Sequence, residues 1–97
     1  MTFDVLLTPT DSLPQDDAQH ARRILDSKLG KVFTFRVNST KVSPPSTGYN
    51  DERKQYAAEA FLPLAEHLQT EANSFASIIL SDVDIFAKFT NYVFGLA

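Results

Sequence analysis

The chain has 97 residues, the length of one domain, and carries nine Lys and Arg against twelve Asp and Glu, for a net charge of −3. The acidic balance and the scattered basic residues argue against nucleic acid and against a membrane surface as partners. The absence of cysteine excludes disulfides, iron–sulfur ligation and zinc–thiolate sites. No apolar run approaches the roughly 20 residues of a membrane span. The start of the chain lacks the basic residues of a signal peptide, so we expect a cytoplasmic protein.

The first part of the sequence predicts a strand, a helix and a second strand. Residues 3–7 are apolar without clean alternation, which is typical of a strand buried on both faces. A turn cluster at residues 11–14 precedes a helix that Gly30 should end. Residues 31–37 alternate polar and apolar side chains, the clearest strand pattern in the chain. The apolar stripe of the helix consists of Ala18, Ala21, Leu25 and Leu29.

The second part begins with residues 38–49, which are rich in Ser, Thr, Pro and Gly and predict a loop that is long for a compact domain. Asn50 is a good N-cap residue, and apolar side chains at helical spacing then predict a helix over residues 51–72. Pro63 should kink or divide this helix. Residues 75–80 predict a third strand, and residues 92–94 a short fourth.

This element order, β-α-β-α-β-β, predicts an α/β fold with a mixed, mainly parallel sheet covered by helices. The whole chain, residues 1–97, is expected to form a single α/β domain. Because a chain that ends within an apolar strand pattern is unusual, we expect an incomplete domain or an N-terminal subdomain. An exposed sheet edge would be open to pairing with a second copy as a homodimer.

Few side chains could carry chemistry. His67 and Glu71 at i,i+4 could reach one cation, but two ligands do not make a zinc site, and His20 is expected to be solvent-exposed. Asp82 and Asp84 follow the third predicted strand, where ligands bind in open α/β sheets. They could do acid–base work or hold Mg²⁺ or Ca²⁺; the alternative is a polar strand exit with one Asp capping a turn. We therefore assign no catalytic residue and no metal ligand.

Two segments of the sequence resemble the archaemetzincin family of zinc metallopeptidases. Residues 77–86 (SIILSDVDIF) and 91–97 (NYVFGLA) resemble an apolar strand, a D-x-D-hydrophobic-aromatic exit and an N-F-V-F-G-x-A motif. A second block, Tyr49-Asn50 through Arg53, Gln55 and Tyr56, resembles a Tyr followed by R-x-Q-Y. The chain departs from the family at residues 87–90 and at Pro63. The matching positions of the first block are Asp82, Asp84, Asn91, Phe94, Gly95 and Ala97.

The resemblance implies the N-terminal subdomain of a metzincin-type peptidase. The zinc-binding helix of that family, H-E-x-x-H-x-x-G-x-x-H, is absent from this chain, so zinc is implied for the full-length family and the chain is expected to be inactive as given. The resemblance also implies that the last strand borders the cleft and that a peptide or protein substrate adds to it by β-augmentation. The substrate-binding residues implied in this way are Tyr92, Val93, Phe94, Gly95, Leu96 and Ala97.

Two other functions remain open from the sequence. The first is a complete, non-catalytic α/β module for binding or homodimerisation. The second is a small ligand-binding domain that uses Asp82 and Asp84.

Overall fold

The computed structural model describes residues 1–86 of the chain. The alternation of strands and helices in these residues confirms the predicted α/β class. The strand predicted at residues 92–94 lies outside the described residues. The elements are β1 (Phe3–Pro9), α1 (Gln15–Leu29), β2 (Phe33–Val37), β3 (Tyr49–Asn50), β4 (Gln55–Ala57), α2 (Phe61–Ala72), β5 (Ala76–Leu80) and β6 (Ile85–Phe86), with 3-10 turns at Ser46–Gly48 and Ala58–Ala60.

The main sheet has the strand order β2-β1-β5, and both pairs are parallel, as predicted. Val5 on the central strand is in register with Phe35 on one side and Ala76 on the other. The pattern of β1 predicted burial on both faces, and residues 5–10 are all buried. The central position of β1 contributes to this burial, because β2 and β5 flank it on either side.

The core lies on the α1 side of this sheet. Val5, Leu7 and Phe35 form its buried centre, and Leu25 of α1 packs against them. Full burial of an aliphatic side chain such as Leu7 contributes about 1.5–3 kcal/mol. The helix ends at Gly30 as predicted, although Gly30 is right-handed (φ −65°) and donates its N–H to the Asp26 carbonyl at 2.9 Å.

The prediction of a helix over residues 51–72 is wrong for its first ten residues. Tyr49 and Tyr56 pair across an antiparallel hairpin of β3 and β4, with ring centroids 5.0 Å apart. Asn50 is therefore not an N-cap; its side-chain oxygen accepts a hydrogen bond from the Arg53 N–H at 3.0 Å within the turn. Lys54 closes the turn with a positive φ of 56°. Cross-strand packing of the two tyrosines and this local turn favour a hairpin here, although the apolar residues have helical spacing.

The predicted kink at Pro63 is also wrong. Because α2 begins at Phe61, Pro63 is its third residue. The first-turn N–H groups have no acceptor inside a helix, so a proline costs no intrahelical hydrogen bond there. The helix ends at Ala72, and the next residue, Asn73, adopts the left-handed conformation (φ 51°) typical of a helix terminus.

A second small sheet, in the order β3-β4-β6, was not predicted. Tyr56 is in parallel register with Ile85, and Ala57 with Phe86. The Tyr56 N–H also donates to the Asp84 carbonyl at 2.9 Å. Residues 81–84 therefore connect the last strand of the main sheet to the edge of the second one.

An aromatic cluster lies at the amino end of the main sheet. The Phe3 ring centroid is 4.6 Å from that of Phe75 and 6.2 Å from that of Phe33. Phe3 and Phe75 remain 48% and 54% exposed, respectively. In the described part of the chain, no helix is both long and apolar enough to cross a membrane.

Candidate functional site

The carboxyl ends of β1, β2 and β5 meet at one edge of the main sheet, because the three strands are parallel. In open α/β sheets this is the edge where ligands bind, and the predicted candidates Asp82 and Asp84 lie in the segment that leaves it. The polar contacts at this edge therefore decide what the two aspartates can do.

Asp82 and Asp84 contact different parts of the molecule. The Asp82 carboxylate accepts a hydrogen bond of 2.6 Å from the Ser12 hydroxyl, which follows β1, and both residues are exposed. Asp84 instead contributes its main-chain carbonyl, which accepts from the Tyr56 N–H. This is the geometry of a polar strand exit, in which a carboxylate and a carbonyl fix the path of the chain.

A second pair of side chains, Thr10 and Ser81, also joins the segments that leave β1 and β5. The fully buried Thr10 donates its hydroxyl to the Ser81 hydroxyl at 3.1 Å, and its N–H to the Leu80 carbonyl at 2.9 Å. The Ser81 hydroxyl oxygen also accepts from the Val83 N–H at 3.2 Å. The buried hydroxyl of Thr10 is thus satisfied by a partner 71 residues away along the chain.

The long loop after β2 is held by hydrogen bonds to the end of β1 and to the residues that follow it. Asn38 donates its side-chain amide to the buried Thr8 hydroxyl at 3.3 Å, and Ser43 donates to the Asp11 carboxylate at 2.5 Å. The Lys41 ammonium donates to the Leu13 carbonyl at 2.6 Å. The polar groups at this edge therefore hold three chain exits together, and a ligand at Asp82 would compete with the hydroxyl of Ser12.

The hairpin brings together the two sequence blocks that resemble archaemetzincins. The Arg53 guanidinium lies over the Phe86 ring, 4.4 Å from the ring centroid, in a cation–π arrangement. Sequence reasoning missed this contact because it placed Arg53 in a helix. The available signal was Asn50 in a polar stretch flanked by two tyrosines, which is typical of a turn between short strands.

The described residues do not form a zinc site. The His67 imidazole contacts the Glu71 carboxylate on α2, with side chains 65% and 64% exposed, and His20 is exposed on α1. Within residues 1–86, no group of three or more His, Asp or Glu side chains could hold a metal ion. A zinc ion needs three or four such ligands, which residues 1–86 do not bring together. The predicted substrate-binding residues, Tyr92 to Ala97, lie outside the described part of the chain.

Comparison with solved structures places this fold among the archaemetzincins. The crystal structure of archaemetzincin from Methanopyrus kandleri matches with a TM-score of 0.72 and 22% identity. The match covers 96% of this chain and 51% of that one. The two proteins therefore share a fold.

Comparison with curated sequences also finds archaemetzincins. The archaemetzincin of Natronomonas pharaonis is 35% identical over 77 residues, covering 78% of this chain and 43% of that protein. The archaemetzincin of Thermococcus kodakarensis is 30% identical over 95 residues, covering 96% and 51%. No protein-family profile matches the sequence. The chain is similar to curated archaemetzincins, as its motifs indicated, and it spans about half the length of the relatives it matches.

Proposed function

We propose that the chain is the N-terminal scaffold and cleft-edge portion of an archaemetzincin-like zinc-dependent peptidase and does not hydrolyse peptides by itself. The observation that carries the proposal is the extent of the match, which covers 96% of this chain but only 51% of the Thermococcus kodakarensis relative. A cytoplasmic location is part of this proposal, and cell fractionation can check it.

The scaffold would act by presenting residues 92–97 to an extended peptide. A peptide that adds as a strand gains main-chain hydrogen bonds, and its alternate side chains then provide specificity. Gly95 has no side chain to prevent a second backbone from approaching closely. The resemblance of residues 91–97 (NYVFGLA) to the family's N-F-V-F-G-x-A motif supports this role.

NMR titration of the isotope-labelled chain with a short apolar peptide tests the proposal. Amide shift changes should concentrate on residues 92–97. The matched control is the same peptide N-methylated at every backbone nitrogen, which cannot donate strand hydrogen bonds from either edge and should not bind. Shift changes confined to residues 1–86, or equal binding of both peptides, would contradict the proposal.

A homodimerisation module is the second candidate function. Phe3 and Phe75 favour it, because these two packed rings are about half exposed at the amino end of the sheet. An apolar surface of this kind is typical of interaction sites. Sedimentation velocity should show a stable dimer that Phe75→Ser dissociates; a monomer at all accessible concentrations excludes this candidate.

A further inference from the structure

We propose that a groove between the end of α1 and the start of β2 binds a small amphipathic anion, a molecule with one anionic headgroup on a short apolar tail. The groove is lined by residues 26–34 and has a volume of about 840 Å³. This volume lies in the range of sites that bind small molecules. The inference is independent of the peptidase proposal, because it concerns a different face of the domain.

The frame of the groove is fixed by main-chain hydrogen bonds. Where α1 ends, Gly30 donates its N–H to the Asp26 carbonyl at 2.9 Å, and Val32 donates to the Leu29 carbonyl at 3.1 Å. The Phe3 N–H then donates to the Val32 carbonyl at 2.9 Å, which joins the turn to β1. Two carbonyls at the negative end of the helix are thus satisfied by the turn itself, so they repel an anion less than free carbonyls would.

The apolar part of the lining can cover a short tail. Leu29 and Val32 are 44% and 48% exposed, and the half-buried Phe33 lies beside them in the lining. The Phe33 ring is held from behind, with its centroid 6.2 Å from those of Phe3 and Phe75. An apolar tail that covers these side chains removes their surface from water, which favours binding.

The charged part of the lining selects an anion. The Asp26 carboxylate is neutralised by the Arg22 guanidinium at 2.6 Å. Lys28 and Lys31 also line the groove, both are exposed, and within residues 1–86 neither of them forms an ion pair. The groove is therefore locally positive in a chain whose net charge is −3. An anionic headgroup complements the two ammonium groups while its tail lies on the apolar side chains.

NMR titration of the isotope-labelled chain with octanoate tests the site. The amide shifts of residues 26–34 should change and saturate. Lys28→Gln and Lys31→Gln should each raise the Kd about two- to fivefold, the range that one exposed ion pair supplies. Val32→Thr should also raise the Kd, because it replaces an apolar group with a hydroxyl. Lys54→Gln is the matched control: it removes a cation that is paired with Asp51 in the hairpin, and the Kd should not change.

A second ligand separates the charge from the tail. Octanol has the same tail and no charge, so it should bind at least about twofold more weakly than octanoate. Added salt should weaken the binding of octanoate and leave that of octanol unchanged. Equal binding of the two ligands, or shifts scattered over the chain, would overturn the proposal.

Two other occupants of the groove would give different results, and either result would overturn the proposal. Shifts of residues 26–34 that depend on the concentration of the free chain would assign the groove to a second copy. Binding of a peptide of alternating Glu and Leu at residues 26–34, with no binding of octanoate, would assign it to an acidic protein partner.

Discussion

Ser12 and Asp82 connect the exits of two strands through one hydroxyl–carboxylate hydrogen bond of 2.6 Å. The sequence identified Asp82 as a candidate, because carboxylates at the end of a strand are a chemical signal. It could not identify Ser12 as the partner, since the two residues are 70 positions apart and only strand order brings them together. The residue type thus indicated that Asp82 lies at a strand exit, but only the tertiary contact with Ser12 shows that its carboxylate joins two strand exits.

Removing either side chain of this pair should lower stability slightly. We expect Ser12→Ala and Asp82→Ala each to lower the free energy of unfolding by up to about 1 kcal/mol, because both groups are exposed and water replaces the lost partner. In a double-mutant cycle measured by urea unfolding, the double variant should cost less than the sum of the two. Ser39→Ala, at an exposed serine in the loop after β2, is the control. Strict additivity would mean that the pair does not interact in solution.

At the scale of elements, the hairpin and α2 show where periodicity misleads. Leu64 and Leu68 do lie on a helix, but Tyr56 and Ala60 continue the same spacing through a strand and a 3-10 turn. Spacing of four residues is compatible with helix over a few positions, and strands of two or three residues are too short to show their own period. The long strands and α1 have enough length to be recognised from the sequence.

The position of Pro63 in the first turn of α2 predicts a mild effect of its removal. Pro63→Ala should change the free energy of unfolding by less than about 1 kcal/mol, since no intrahelical bond is gained there. Glu66→Pro, one turn further on, should cost about 3 kcal/mol by removing an interior bond. Chemical denaturation followed by circular dichroism compares the two. A large stabilisation by Pro63→Ala would indicate that α2 begins earlier than Phe61.

Gly48 marks the tight packing of the two 3-10 turns. A Cβ added at Gly48 would lie 2.5 Å from the Ala60 Cβ, closer than side chains approach. Gly48→Ala should therefore lower the free energy of unfolding by about 1–3 kcal/mol. Ala60→Gly in the same chain removes the clashing atom and should recover part of the loss. No recovery in thermal unfolding of the double variant would count against this packing.

At the scale of the whole molecule, the parallel main sheet follows from the alternation of strands and helices along the chain. The second sheet does not, because Tyr56 and Ile85 belong to short strands far apart in the sequence. The substrate-binding assignment to residues 92–97 stays a prediction. It came from motif resemblance, since no periodicity in the chain points to peptide binding.

The composition of the entire chain predicts that it binds zinc only weakly, and a zinc titration tests this. Isothermal titration calorimetry should detect no submicromolar site, because the sequence contains two histidines and no cysteine. A weak heat from His67 and Glu71 should disappear in His67→Gln. Submicromolar binding that survives this substitution would require a ligand set that the described residues do not provide.

The central place of β1 has a consequence for how the protein is made. During synthesis, β1 leaves the ribosome before β2, which follows soon after. The other neighbour of β1, however, is β5, and Thr10 meets its partner Ser81 only 71 residues later. Until then a strand rich in buried side chains has one bare edge, which is the kind of surface that chaperones bind and that promotes aggregation. The nascent chain therefore passes through a vulnerable stage that ends only when β5 has been translated.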